Sequence, residues 1–221
     1  MITAAELEIP PETDFDWINA LTGEACRLHD AAVEAYGCGR VNEAEGLFRR
    51  SIALFEQVEG PEHPDVAAAL GSLGAVLSAL AALLDGQSKF DEAERLYNSA
   101  LEIFTRVYGE EHYEVATTLN NLAMIHQARG DYARTEATLV RALAIKEKIF
   151  GRDNVDVSLT LNNLAVSRCA QGDGEKAAEL YDRALAVFEA ELGADHPITL
   201  IRRENYEDLL KGLPKAAPPL I

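Results

Sequence analysis

Apolar positions between residues 115 and 151 recur with a helical period of about 3.6 residues. Val115, Leu119, Leu122, Ala123 and Ile125 mark one stripe, which predicts an α-helix. Gly130 and Asp131 interrupt the run, and Thr135, Leu139, Ala142, Leu143 and Ile145 mark a second stripe. Gly151 then supplies a residue suited to the left-handed backbone that closes a helix. The predicted element is a pair of antiparallel helices joined by a tight turn.

The same element returns along the chain. Leu119-Asn120-Asn121-Leu122-Ala123 reappears 42 residues later as Leu161-Asn162-Asn163-Leu164-Ala165. Arg141-Ala142-Leu143-Ala144-Ile145 returns at the same step as Arg183-Ala184-Leu185-Ala186-Val187, and Gly109, Gly151 and Gly193 keep it too. Upstream, Gly60-Pro61-Glu62-His63 stands 49 residues before Gly109-Glu110-Glu111-His112, so the first interval carries seven extra residues. Four units follow, with cores near residues 24–60, 66–109, 115–151 and 157–193, and a half-unit from His196 to about Leu213. Pro64 and Pro197 fall at predicted helix starts, where a missing N–H is tolerated. Small residues such as Ala93, Ala100, Ala123, Ala142, Ala165, Ala177 and Ala184 mark places where helices approach closely. One hairpin cannot bury its apolar face, so the units must stack into a solenoid.

The spacing, the Leu-Asn-Asn-Leu-Ala motif, the Gly130-Asp131-Tyr132 turn and the Arg-Ala-Leu-x-Ile string resemble the 42-residue tetratricopeptide repeats of kinesin light chains. The resemblance spans residues 24 to 213 and implies an all-α, right-handed superhelical solenoid of antiparallel helix pairs. It further implies that the first helix of each pair lines a concave groove. The second asparagine of each motif would contact the backbone of a bound peptide, which carries over to Asn121, Asn163 and, in register, Asn205. Thr117, Asn120, Met124, Gln127, Asn162 and Val166 complete the expected groove. A carboxamide both donates and accepts, so it can pair with an extended backbone whatever its side chains. The alternative reading is that these asparagines bond a neighbouring unit and hold the stack together. The chain departs from the family pattern at His29-Asp30 and Gly71-Ser72, which replace the asparagine pair, and at Thr135 and Gly174.

Two segments are peculiar to this chain. The seven extra residues fall between Ser72 and Phe90, in the first arm of the second unit. No matching insertion is expected in the second arm, so the helix would project beyond the solenoid. Val76, Leu80, Leu83 and Leu84 are then expected to form a partner or homodimer edge, the alternative being a longer helix packed on the first unit. The other segment is the N-terminus. Residues 1–16 hold five acids, no Lys or Arg, and the pair Pro10-Pro11. They read as an acidic tail before a helix starting around Asp14 to Trp17. Asp14 is expected to cap that helix, with Phe15 and Trp17 covering the end of the stack. The string Asp14-Phe15-Asp16-Trp17 is also similar to the tryptophan-acidic peptides that kinesin light chain grooves bind, so occupancy of the chain's own groove is the second reading. The domain plan is a tail over 1–16, a solenoid over 17–213 and a tail over 214–221.

Composition narrows the function classes. Thirty-seven acidic against 20 basic residues give a formal net charge of -17. A nucleic-acid binder needs the opposite surplus to track phosphates, and an anionic membrane would repel this surface. Three cysteines, Cys26, Cys38 and Cys169, stand without any CxxC pairing. They read as thiols of a reducing, cytoplasmic compartment, with no disulfide framework. Loop histidines His63, His112 and His196 read as loop structure, and no metal or cofactor is expected. No phosphate loop, nucleophile elbow or HExxH is present, so no catalytic residue is assigned. The expected function is a non-catalytic adaptor or regulator that binds another protein or peptide segment in its groove. The alternative is an assembly subunit docking by its edge or convex face.

Overall fold

The structure is a computed structural model describing residues 15–84 and 87–210, with side chains described for 17–79 and 89–207. Among the described residues it is all helix: α1 (Phe15–Gly37), α2 (Val41–Glu59), α3 (Pro64–Leu84), α4 (Gln87–Tyr108), α5 (Tyr113–Ala128), α6 (Tyr132–Phe150), α7 (Val155–Ala170), α8 (Gly174–Leu192) and α9 (Pro197–Leu210). Consecutive helices pair as α1 with α2, α3 with α4, α5 with α6 and α7 with α8, and each pair packs on the next. The predicted solenoid of helix pairs is present.

Punctuation residues set the boundaries. Gly60, Gly109, Gly151 and Gly193 close the second helix of each pair at φ between 80° and 94°, a region where a Cβ would be strained. At the start of the next helix, one side chain accepts the orphan N–H two residues on. His63, His112 and His196 do so through Nδ1, each at 3.3 Å, and Asn154 through Oδ1 at 2.8 Å. Asp131 and Asp173 cap α6 and α8 by accepting the N–H three residues on, from Arg134 and Lys176. The loop histidines are therefore helix caps in this fold.

The core is a continuous seam between first and second helices. Phe48, Ile52, Phe55, Leu73, Leu77, Tyr97 and Phe104 are buried in its N-terminal part. Leu139, Leu161, Leu164 and Phe188 continue it. At the innermost site of each second helix the repeat step aligns Phe55, Phe104 and Phe188. The third unit has Lys146 there, only 5% exposed. Its ammonium reaches the main-chain oxygen of Asp156 at 3.4 Å. Burial pushes the Lys146 pKa down, against a smaller upward pull from Asp156.

The insertion departs from expectation. It is shared by both arms: α3 has 21 residues against 16 in α5, and α4 has 22 against 19 in α6. The chain therefore gains a longer hairpin, lengthened in both α3 and α4. Val76 is 1% exposed and belongs to the core, which corrects its assignment to an exposed edge. Ser78 is also buried and donates to Gly74 O at 2.7 Å. Leu80, Leu83 and Leu84 lie outside the described side chains. At the N-terminus α1 starts at Phe15, as the sequence predicts, and Trp17 is half-buried. Asp14 and the side chain of Phe15 lie outside the described residues.

Candidate functional site: a side-chain ladder along the first helices

First helices of successive units touch directly, α1 on α3 and α3 on α5. The motif positions predicted to line a groove meet along this row. Asn163 on α7 donates from Nδ2 to Oδ1 of Asn120 on α5 at 3.1 Å. The second motif position of one unit thus reaches the first motif position of the unit before. The same relation recurs at the other end of the stack, where His29 Nε2 and Ser72 Oγ lie 3.3 Å apart. The residues that replace the asparagine pair in the first two units therefore still make a rung.

Two rungs are not made. In the register that pairs Asn163 with Asn120, the counterpart of Asn121 is Gly71, which has no side chain to offer. Asn121 is half-buried and has no hydrogen-bond partner among the described residues. At the C-terminal end Asn162 is 1% exposed, and neither of its amide atoms has a hydrogen-bond partner. Nδ2 of Asn205, its counterpart on α9, is also sealed and unpartnered. Thr117 Oγ1 and Gln127 Oε1 add two more unpartnered buried atoms on α5. Met124 packs against Ala123, Leu139 and Leu164, and Val166 is half-buried. The expected groove residues thus fall into two groups: Asn120 and Asn163 bond each other, while Thr117, Asn121, Gln127, Asn162 and Asn205 retain unused polar atoms. The described arrangement presents hydrogen-bonding capacity.

A second row of ties, which the sequence reading missed, runs along the turn edge of the stack. Glu45, Glu94 and Glu136 occupy one position of the second helix in three successive units. Glu45 holds Lys89 at 3.0 Å and Arg49 at 2.8 Å. Glu94 holds Arg129, with His126 at 3.4 Å, and Glu136 holds Arg168. Burial alone would raise the Glu94 carboxyl, but the hydrogen bond and charge of Arg129, with His126, outweigh it and hold it low. Glu45 behaves likewise, through Arg49 and Lys89. The signal available in sequence was the 42-residue recurrence of Glu94 and Glu136.

The tetratricopeptide repeat family matches residues 24–82, 75–148 and 156–213. The chain belongs to this family, whose members serve as protein–protein interaction modules and are typically non-catalytic scaffolds. Among solved structures it is similar to BtubC (BKLC) from P. vanneervenii, at 26% identity and a TM-score of 0.69, covering 95% of this chain and 73% of that one. Two structures of a Podosopora anserina putative kinesin light chain with nearly identical TPR-like repeats share its fold. They are 20% and 21% identical, with TM-scores of 0.70 and 0.69, and each alignment covers 86% of this chain and 87% of the other. A comparison with curated proteins gives no match. Among the described residues no helix is long and apolar enough to cross a membrane.

Proposed function

We propose that this chain is an adaptor or regulatory module that binds an extended segment of a partner polypeptide along the row of first helices. The observation that carries this reading is the incomplete ladder. Asn120 and Asn163 satisfy each other, whereas Asn121 has Gly71 as its counterpart and keeps both amide functions available. A partner backbone supplies an N–H and a C=O at the spacing of one residue, which a carboxamide can pair in both senses. Thr117 stands one turn before Asn121 on α5, and Gln127 six residues after it.

Affinity capture of partners from native lysate with the wild-type chain and with Asn121→Ala tests the reading. Loss of a partner in the variant, with the helical content unchanged, supports it. A partner retained at wild-type level by Asn121→Ala and by a Thr117→Ala/Gln127→Ala variant overturns it.

The second reading is an assembly subunit that docks by its edge. It is supported by an apolar ledge at the loop edge, where Val107, Tyr108, Tyr113, Ile149 and Phe150 are all more than a third exposed. Tyr113 and Phe150 pack edge to face there at 5.6 Å. Partner retention by the groove variants, with loss on Tyr113→Ser/Phe150→Ser, selects this second reading. The unpaired cysteines favour a cytoplasmic setting for either.

A further inference from the structure

The joint between the first and second units differs from the other three. In the others, the residue before the closing glycine is Tyr108, Phe150 or Leu192, an apolar side chain. Tyr108 stacks on the capping His112 with ring centroids 4.3 Å apart. The first joint has Glu59 in that place. Its side chain is only 17% exposed and sits 2.5 Å, through Oε2, from Nδ1 of the capping His63.

This contact brings two acceptors together. Nδ1 of His63 accepts the N–H of Asp65 as a helix cap, so its lone pair is not a donor toward Glu59. Oε2 of Glu59 is sealed from solvent and has no hydrogen-bond donor. The Asp65 carboxylate lies 3.7 Å from the same nitrogen. The three ligand atoms of Glu59, His63 and Asp65 all lie within 4.8 Å of one another. A cleft lined by Cys26, His29, Asp30, Phe55, Asp65 and Ala68 opens beside them. Burial, followed by the charges of Asp65, Asp30 and Glu59, pushes the Cys26 thiol up. The whole corner therefore favours a cation over further negative charge.

We propose that Glu59, His63 and Asp65 form a binding site for a divalent transition ion of the zinc class, fastening the end of α2 to the start of α3. One imidazole nitrogen with two carboxylate oxygens is a borderline donor set that suits Zn²⁺ or Co²⁺ and leaves a position open toward the cleft. Ligand atoms on such an ion stand roughly 3.4 Å apart, given bonds of about 2.1 Å at near-tetrahedral angles. The present spacings straddle that value, and Glu59 and His63 need only part slightly. The ion replaces the long 3.3 Å cap bond to Nδ1. The site is separate from the ladder, and its test is independent of the partner-binding reading.

The test titrates Co²⁺ and Zn²⁺ into the metal-stripped full chain, reading cobalt d–d absorption, calorimetric stoichiometry and the thermal midpoint. His63→Asn keeps the cap, because Asn154 performs it at the equivalent joint, and Glu59→Gln keeps the shape while removing the charge. Wild type is expected to take up one ion per chain and to melt higher with it. Both variants should bind at least about tenfold more weakly with unchanged helical content, while His112→Asn binds as wild type. Equal binding by Glu59→Gln and His63→Asn places the ion elsewhere and overturns the site. Absence of saturable uptake by about 1 mM overturns it too.

Discussion

Lys146 fills in the third unit the core slot that Phe188 fills in the fourth. The aromatic ring packs on all sides, while the lysine has an ammonium to hydrate and only the Asp156 carbonyl to meet it. A buried cation without a close carboxylate costs stability. Lys146→Phe restores the residue type of the other units and is expected to stabilise the chain by about 2 kcal/mol. For a chain of this length that raises the thermal midpoint by about 4–8 °C. Differential scanning calorimetry checks it, and a lower midpoint would show that the slot no longer has room for the ring.

The same lysine gives a pH signature. Its folded pKa lies below the ordinary 10.5, so between the two values the unfolded chain binds more protons. Stability therefore rises with pH across that window. Below it the penalty is present in full. Melting curves from pH 7 to 10.5 should show this upward component in wild type and its loss in Lys146→Phe. Parallel pH profiles for the two proteins would refute the assignment.

Asn163 and Asn121 occupy equivalent motif positions, yet their alanine variants should behave differently. Asn163→Ala removes the bond to Asn120 and is expected to cost about 0.5–1.5 kcal/mol. Asn121→Ala removes no bond within the chain and should leave the urea midpoint unchanged. Its effect belongs to partner capture. Equal destabilisation by the two would mean that Asn121 also has a structural partner.

Gly71 is the reason Asn121 stays unengaged. Gly71→Asn supplies the missing rung and should pair Asn121 as Asn120 pairs Asn163. The stack gains about 0.5–1.5 kcal/mol from the bond, together with the helix preference of Asn over Gly. Partner capture through Asn121 falls at the same time. A variant that is more stable but captures as well as wild type would separate the ladder from recognition.

The helix pairs were legible because several anchors keep the 42-residue step, and caps and glycines punctuate it at each joint. The start of α1 was legible from the acidic segment with Pro10-Pro11 that precedes it. The position of Val76 was not. A seven-residue gain read along the sequence looks like a single lengthened helix, whereas the structure divides it between α3 and α4 and leaves Val76 in the core. The asparagine motif announced a special face but not which amides would be engaged. That depends on a contact between residues 43 apart, set by how adjacent units are rotated. Ties such as Glu94 to Arg129 join residues 35 apart and escape any reading confined to one helix.

The Glu94 tie is the strongest candidate for the stability of the middle of the stack. Glu94 is 21% exposed and meets Arg129, which is 18% exposed, while His126 approaches the other oxygen. Glu94→Gln keeps the shape but removes the charge that Arg129 and His126 face. The expected loss is about 1–2 kcal/mol, reduced because Asp91 still holds Arg129 at 2.5 Å. The carboxyl has a lowered pKa, so its contribution is complete above the ordinary value of 4.5. It is lost as pH falls from there through the folded value. Wild type should thus lose more stability than Glu94→Gln between pH 5 and pH 3, which circular dichroism with urea can follow. Added salt should narrow the difference at neutral pH only partly, because the pair is mostly shielded from solvent. If the two proteins lose stability in parallel on acidification, the tie contributes nothing to holding the second and third units together.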